Sequence, residues 1–164
     1  MRVRLATRSD LLAIGRVADA AAWETYSGLL KPDTIARLLS LQYSPAAVRR
    51  RLLRGGIRVA DAGRAGVLGF ADADVDSGQI RLGAMSTEPA YRRSGVAKAL
   101  LASVRASHPW HPVCADVLLG NLDGERFYES QGFAPGEVIE GRLFDEEVVE
   151  RRWWLAPPIR GASI

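Results

Sequence analysis

The chain has 164 residues, 48% of them hydrophobic and 25% charged, with a formal net charge of +3. That length suits one domain with a real core, and the balance excludes both a disordered chain and a membrane-embedded one. A single cysteine, Cys114, excludes an internal disulfide and fits a cytoplasmic location.

Met1-Arg2-Val3-Arg4-Leu5 alternates like a strand and lacks the long apolar stretch of a signal peptide. No later apolar run approaches the roughly 20 residues that cross a bilayer, so no membrane partner is expected. The first strand spans Arg2 to Ala6, with Val3 and Leu5 facing in. Thr7-Arg8-Ser9-Asp10 resembles a capping box with the shorter acid. Leu11, Ile14, Val17, Ala18 and Ala21 then recur at helical spacing. Trp23 to Leu30 reads as a turn or short helix broken near Pro32, and a helix from Asp33 buries Ile35, Leu38 and Leu39. Ser44-Pro45 is an N-cap followed by proline at the first helical position, and Gly55-Gly56 is the natural stop.

The middle of the chain changes period. Ile57 to Asp61, Ala65 to Val75 and Gln79 to Thr87 read as strands joined by short turns, which predicts an antiparallel meander. From Gly95 the helical period returns, with Val96, Leu100, Leu101 and Val104 inward, until Pro109. Val113 to Leu118 is a strand. A helix from Leu122 to Gln131 ends at Gly132, a position suited to a left-handed cap. Two last strands, Glu137 to Glu140 and Glu147 to Leu155, precede Pro157-Pro158. The order predicts one domain over residues 1–164, a mixed α/β sheet with helices on both faces.

Chemistry concentrates in Met85-Ser86-Thr87-Glu88-Pro89-Ala90-Tyr91-Arg92-Arg93-Ser94-Gly95-Val96-Ala97-Lys98. A strand end running through a short loop into a helix N-terminus presents several unpaired N–H groups, backed by the positive end of the helix dipole. Such a junction suits a pyrophosphate. Gly95 lets the ligand approach, Ala97 keeps the next turn small, and Arg92 and Arg93 offer charge-assisted contacts. The spacing is neither that of a P-loop nor that of a dinucleotide fingerprint. Arg92-x-x-Gly95-x-Ala97 resembles instead the pyrophosphate loop of the GNAT N-acetyltransferase superfamily, and Thr87-x-Pro89 the end of that family's fourth strand. A second segment, Asn121-Leu122-Asp123-Gly124-Glu125-Arg126-Phe127-Tyr128-Glu129-Ser130-Gln131-Gly132-Phe133, resembles the family pattern Asn-x-x-Ala-x-x-Phe-Tyr-x-x-x-Gly-Phe, with Gly124 in place of alanine. Trp23-x-x-x-Tyr26-x-x-Leu29-Leu30 is similar to an opening found in one subgroup.

The resemblance implies a mixed, mostly antiparallel sheet of about seven strands with helices on both faces. It implies acetyl-CoA as co-substrate and acetyl transfer to a primary amine by direct attack in a ternary complex. By the same resemblance the cofactor contacts are Met85, Ser86, Thr87, Arg92, Arg93, Ser94, Gly95, Val96, Ala97, Lys98 and Asn121. A backbone N–H within Met85 to Thr87 stabilises the oxyanion, and Tyr128 is the general acid to the thiolate. Many relatives place a glutamate base early in the fourth strand, where this chain has Arg81. Either the base lies elsewhere, with Glu24, Asp72, Asp74 and Asp116 as candidates, or a water relay serves, or the substrate amine arrives neutral; Arg81 could instead face an acidic substrate group. The expected acceptor is a small-molecule or peptide amine, with a homodimer allowed for. Acetylation of a macromolecule and a non-catalytic acyl-CoA-binding module remain alternatives. Arg49-Arg50-Arg51-x-x-Arg54 reads as a solvated helix face, so nucleic acid is not an expected partner. His108-x-x-His111-x-x-Cys114 carries soft donors, but Pro109 and Pro112 interrupt it and no fourth ligand is evident; no metal is expected.

Overall fold

The computed structural model describes residues 1–159. Seven strands form one sheet: β1 (Arg2–Leu5), β2 (Ile57–Asp61), β3 (Val67–Asp76), β4 (Gln79–Thr87), β5 (Val113–Leu118), β6 (Ala134–Leu143) and β7 (Glu146–Leu155), in the order β1-β2-β3-β4-β5-β7-β6. Only β4 and β5 run parallel. The sheet is therefore mixed and mostly antiparallel, as the chain order requires. Three helices, α1 (Leu11–Tyr26), α2 (Pro32–Tyr43) and α3 (Pro45–Arg54), cover one face. On the other lie α4 (Val96–Ser107) and α5 (Leu122–Ser130).

Local chemistry sets the helix ends. The Ser44 hydroxyl accepts from the Ala47 N–H at 3.3 Å, Pro45 opens α3, and Gly55 at φ 79° closes it in the left-handed region. The predicted inward stripe of α4 is the buried one: Val96, Leu100, Leu101 and Val104 pack on Ile80, Leu82, Val113 and Ala115. Gly69 in β3 makes this close approach possible. A Cβ there would lie 2.7 Å from Val96 Cγ1 and 2.8 Å from the Ser86 carbonyl oxygen, so the start of α4 is seated against the end of β4 through a missing side chain.

Three expectations need correction. Leu5 is 55% exposed, because the α4 side of the sheet covers β1 only as far as Val3. The segment from Trp23 is no separate turn: α1 runs unbroken through Tyr26, its Ala21 and Ala22 buried, and yields only at Ser27 and Gly28. The strand expected over Glu137 to Glu140 extends from Ala134 to Leu143, since β7 offers it a partner along nearly its whole length.

Candidate active site

The β4–α4 junction keeps its backbone donors free. Tyr91 and Arg92 close a short 3-10 turn onto Glu88 and Pro89, and Ala99 is the first α4 residue whose N–H reaches back to the chain. Between them the N–H groups of residues 93–98 find no acceptor among the described residues. Arg93 at φ 59° and Gly95 at φ 87° bend this stretch into a concave turn at the positive end of a 12-residue helix. Space around Gly95 is open: a Cβ there would meet nothing within 4 Å.

The predicted loop residues divide in what their side chains do. The Val96 side chain is buried between α4 and the sheet, so only its N–H faces the turn. The Ser94 hydroxyl donates to the Tyr91 carbonyl and holds the turn's shape. Arg93, Gly95 and Lys98 are exposed, and Ala97 is half-buried. Arg92, expected on the ligand, donates instead to Thr25 Oγ1 at 2.9 Å and lies 3.8 Å from Asp123. It ties the loop to the end of α1 and the start of α5, which brackets the cleft from both faces of the sheet.

That cleft is a gap within the sheet. β4 and β5 pair only over Ile80–Leu82 and Val113–Ala115. Beyond Leu82 a bulge intervenes: Asp72 of β3 faces Ala84 while Ala73 faces Leu82, leaving Gly83 unmatched. From there β4 keeps its bonds to β3 and turns its other edge away from β5. Met85, Ser86 and Thr87 form this free edge. Asn121 stands at the far side as the N-cap of α5, its Oδ1 accepting from the Gly124 N–H at 3.1 Å. A Cβ on residue 124 would come within 2.7 Å of Asn121 Nδ2, so an alanine there would need that side-chain amide to shift.

Two tyrosines approach the gap from opposite faces of the sheet, Tyr128 on α5 and Tyr26 on α1. Tyr128 on α5 is 8% exposed, its ring edge-on to Phe127 at 5.3 Å and Phe133 at 5.0 Å. Burial, reinforced by the neighbouring Tyr26, pushes its phenol well above the ordinary range, so it stays protonated at any physiological pH. Tyr26, on α1, is raised chiefly by burial and also senses Glu150. Glu150 of β7 stands opposite Leu118, the last residue of β5. Its carboxylate is half-buried, and no group donates to it among the described residues. Burial raises its pKa, Asp116 adds to the rise, and Arg152 offsets part of it. Glu150 does not stand out in the sequence. It is one of three glutamates in β7 and is followed by Arg151 and Arg152, so nothing local marks it, and its place at the gap depends on β7 inserting beside β5.

Three of the four candidate bases named from sequence are otherwise engaged. Asp116 accepts from Arg152 at 2.6 and 2.8 Å and lies 3.4 Å from Arg81. Asp72 is buried against Arg51 at 3.0 Å, and Asp74 pairs with Arg54 at 3.0 Å. Glu24 is exposed on α1. His108 and His111 stack edge-on at 5.4 Å, while Cys114 is fully buried within β5. No cluster of three His, Cys, Asp or Glu side chains that could hold a metal occurs among the described residues. Nor is any described helix long and apolar enough to cross a membrane.

The family model described as an acetyltransferase (GNAT) domain matches residues 54–135, from the end of α3 into the start of β6. No curated protein sequence matches significantly. Among solved structures, PaiA N-acetyltransferase from Thermoplasma acidophilum in complex with coenzyme A is 18% identical, with a TM-score of 0.76 over 92% of this chain and 96% of that one. A GCN5-related N-acetyltransferase from Rhodopseudomonas palustris is 12% identical, with a TM-score of 0.77 over 94% of each chain. The ribosomal-protein-S18-alanine N-acetyltransferase from Escherichia coli is 17% identical, with a TM-score of 0.70 over 99% of this chain and 97% of that one. At these identities the likeness is one of fold.

Proposed function

This chain belongs to the GNAT acetyltransferase family, and on that premise we propose that it moves the acetyl group of acetyl-CoA to a primary amine by direct attack within a ternary complex. The observation that carries the proposal is the pairing of two free backbone edges: the run of unmatched N–H groups at residues 93–98 and the unpaired edge of β4 at Met85 to Thr87. The first suits a pyrophosphate. The second can pair with the amide-bearing arm that follows it, in the manner of an added strand. Coenzyme A carries both, and its thioester supplies the activated acyl group.

The chain's own residues then divide the chemistry. A backbone N–H of Met85 to Thr87 is the donor for the developing oxyanion. Tyr128 gives its proton to the departing thiolate; its high pKa keeps it protonated for that step. Glu150 receives the proton of the attacking amine. It is the half-buried carboxylate at the gap that holds no cation in a close ion pair, whereas Asp72, Asp74 and Asp116 each do. Arg81, at the position where many relatives have a glutamate, cannot serve as a base. Arg92 acts at one remove, by fixing the loop to α1 and α5. Asn121 holds the start of α5 and so the position of Tyr128.

The test is acetyl-CoA-dependent acetylation across a panel of amines, followed as thiol release and as N-acetyl product. Stoichiometric product and thiol support the reading. Tight CoA binding with neither product would reduce the chain to an acyl-CoA-binding module.

A further inference from the structure

Behind the vertex of the gap, on the face opposite α4, lies a cavity of about 490 Å³ lined by Arg50, Arg51, Arg54 and Arg81 against Asp72 and Asp74. Its inner wall reaches the chemistry. Arg81 precedes Leu82, the last β4 residue paired with β5, and Gly83 is the unmatched bulge residue at which the strands begin to part. Because side chains alternate along a strand, Arg81 points away from the α4 face into which Leu82 packs. A ligand in this cavity thus approaches the gap from one face while the α4 turn offers its backbone donors on the other.

The charge of the cavity is one-sided once its internal pairs are assigned. Asp72 is taken by Arg51 at 3.0 Å, and that guanidinium also stacks on Tyr43 at 4.7 Å. Asp74 is taken by Arg54 at 3.0 Å. Arg50, exposed on α3, has no acidic partner among the described residues. Arg81 reaches only Asp116, at 3.4 Å, and that carboxylate is already doubly bonded to Arg152. Two guanidinium groups therefore remain for a ligand, one at the rim and one beside the gap. A guanidinium's fork of donors matches the oxygens of a carboxylate or phosphate, and the volume fits a small molecule.

Resting on the acetyl-transfer reading, we infer that the acceptor is a small amine bearing an anionic group, carboxylate or phosphate, which Arg81 and Arg50 hold while the amine reaches the gap. A polyamine or other second cation meets repulsion at the same place. The relevant surface is a cavity beside the reacting edge, so the basic run of α3 serves a small ligand here rather than a nucleic acid.

Matched pairs test this on the full chain: β-alanine against β-alaninamide for the carboxylate, and phosphoethanolamine against ethanolamine for the phosphate. The anionic member of at least one pair should show kcat/KM higher by about tenfold or more, as a charge-assisted contact provides, and the pair that responds identifies the anion. Arg81→Glu should erase the preference with CoA affinity unchanged. Arg50→Glu, an exposed change that leaves the Asp116 network intact, should reduce it in the same direction. Equal rates for both members of both pairs, or a preference untouched by Arg50→Glu and Arg81→Glu, would overturn the inference while leaving acetyl transfer standing. Acetylation of no amine, with CoA bound, would instead remove the reading beneath it. If the two variants weakened only a salt-sensitive interaction with tRNA, the anion site would belong to a macromolecule and the inference would fall.

Discussion

Two strand-to-helix junctions in this molecule use similar residues to opposite ends. Between β1 and α1, the Thr7 N–H is accepted by Asp10 at 2.8 Å, and the same carboxylate takes two bonds from Arg4 at 2.7 and 2.8 Å. Arg4 also reaches Asp61 at 3.0 Å. The Asp10 carboxylate and the Arg4 guanidinium are both matched within the chain. Between β4 and α4, the acid and the arginine point away: Glu88 pairs with Arg16 of α1, and Arg92 bonds Thr25. The loop between them leaves the N–H groups of residues 93–98 without a close acceptor among the described residues. A saturated junction stabilises the fold. An unsaturated one at a helix N-terminus holds donors in reserve for an anion. The same distinction separates Asp116, bound by arginines, from Glu150, which is not.

The largest expected effect comes from filling the open turn. Gly95→Glu places a side chain and a negative charge where φ is 87° and the space is clear. CoA affinity measured by calorimetry should fall by a hundredfold or more, on the order expected for losing several charge-assisted contacts, with circular dichroism unchanged. Unaltered affinity would mean that the free donors do not mark the ligand.

Next in size is Tyr128→Phe, which removes one oxygen from a packed ring. General acid catalysis contributes roughly 100- to 10,000-fold, so kcat should drop within that range at near-normal CoA affinity. The deficit should shrink with a more acidic leaving thiol. Near-normal turnover, with chemistry rate-limiting, would assign the residue to packing alone.

Glu150→Gln sharpens the contrast between bound and unbound carboxylates. Burial raises the Glu150 pKa, so the base form is lost as pH falls through a value above the ordinary glutamate range. Wild-type kcat/KM should carry that limb at the same pH for every acceptor amine, and the variant should lose it along with about 100-fold in rate. A profile that moves with the pKa of the amine, unchanged in the variant, would leave Glu150 without a role. Glu24→Gln, on an exposed residue, should change neither.

The smallest effect belongs to the saturated junction. Asp10→Asn should cost about 1–3 kcal/mol in denaturant unfolding. The hydrogen bond from Arg4, with those from Thr7, holds the Asp10 pKa below its ordinary value. Its contribution is therefore complete above the ordinary aspartate range and disappears as pH falls through the lowered folded-state pKa. The variant should lack that acid-side loss and, at neutral pH, keep its CoA affinity.

Much of this was legible in the sequence because it is written in neighbours. The α4 stripe of Val96, Leu100, Leu101 and Val104 follows the helical period, and Ser44, Pro45 and Gly55 each set a helix end through local backbone chemistry. The loop and the Asn121–Tyr128 segment resembled a known family in residues that lie close together. What escaped depends on distant partners. Leu5 alternates correctly for an inward strand but lies beyond the cover of α4. Arg92 has the chemistry of a phosphate ligand, yet Thr25 is its neighbour in space. Gly69 lies inside a strand with no local mark, and only the Val96 side chain seated against it gives the reason for a missing Cβ. Glu150 acquires its surroundings only where β7 inserts beside β5 and α1 brings Tyr26 over the same edge.

The most direct measurement is a titration of the ¹⁵N-labelled protein with CoA, read on backbone amides rather than on side chains. Amide signals of residues 93–98 should shift first and furthest, followed by those of Met85 to Thr87, while Thr7 to Asp10 stay fixed. Binding of CoA that left residues 93–98 unmoved would contradict the assignment of this junction as the pyrophosphate cradle.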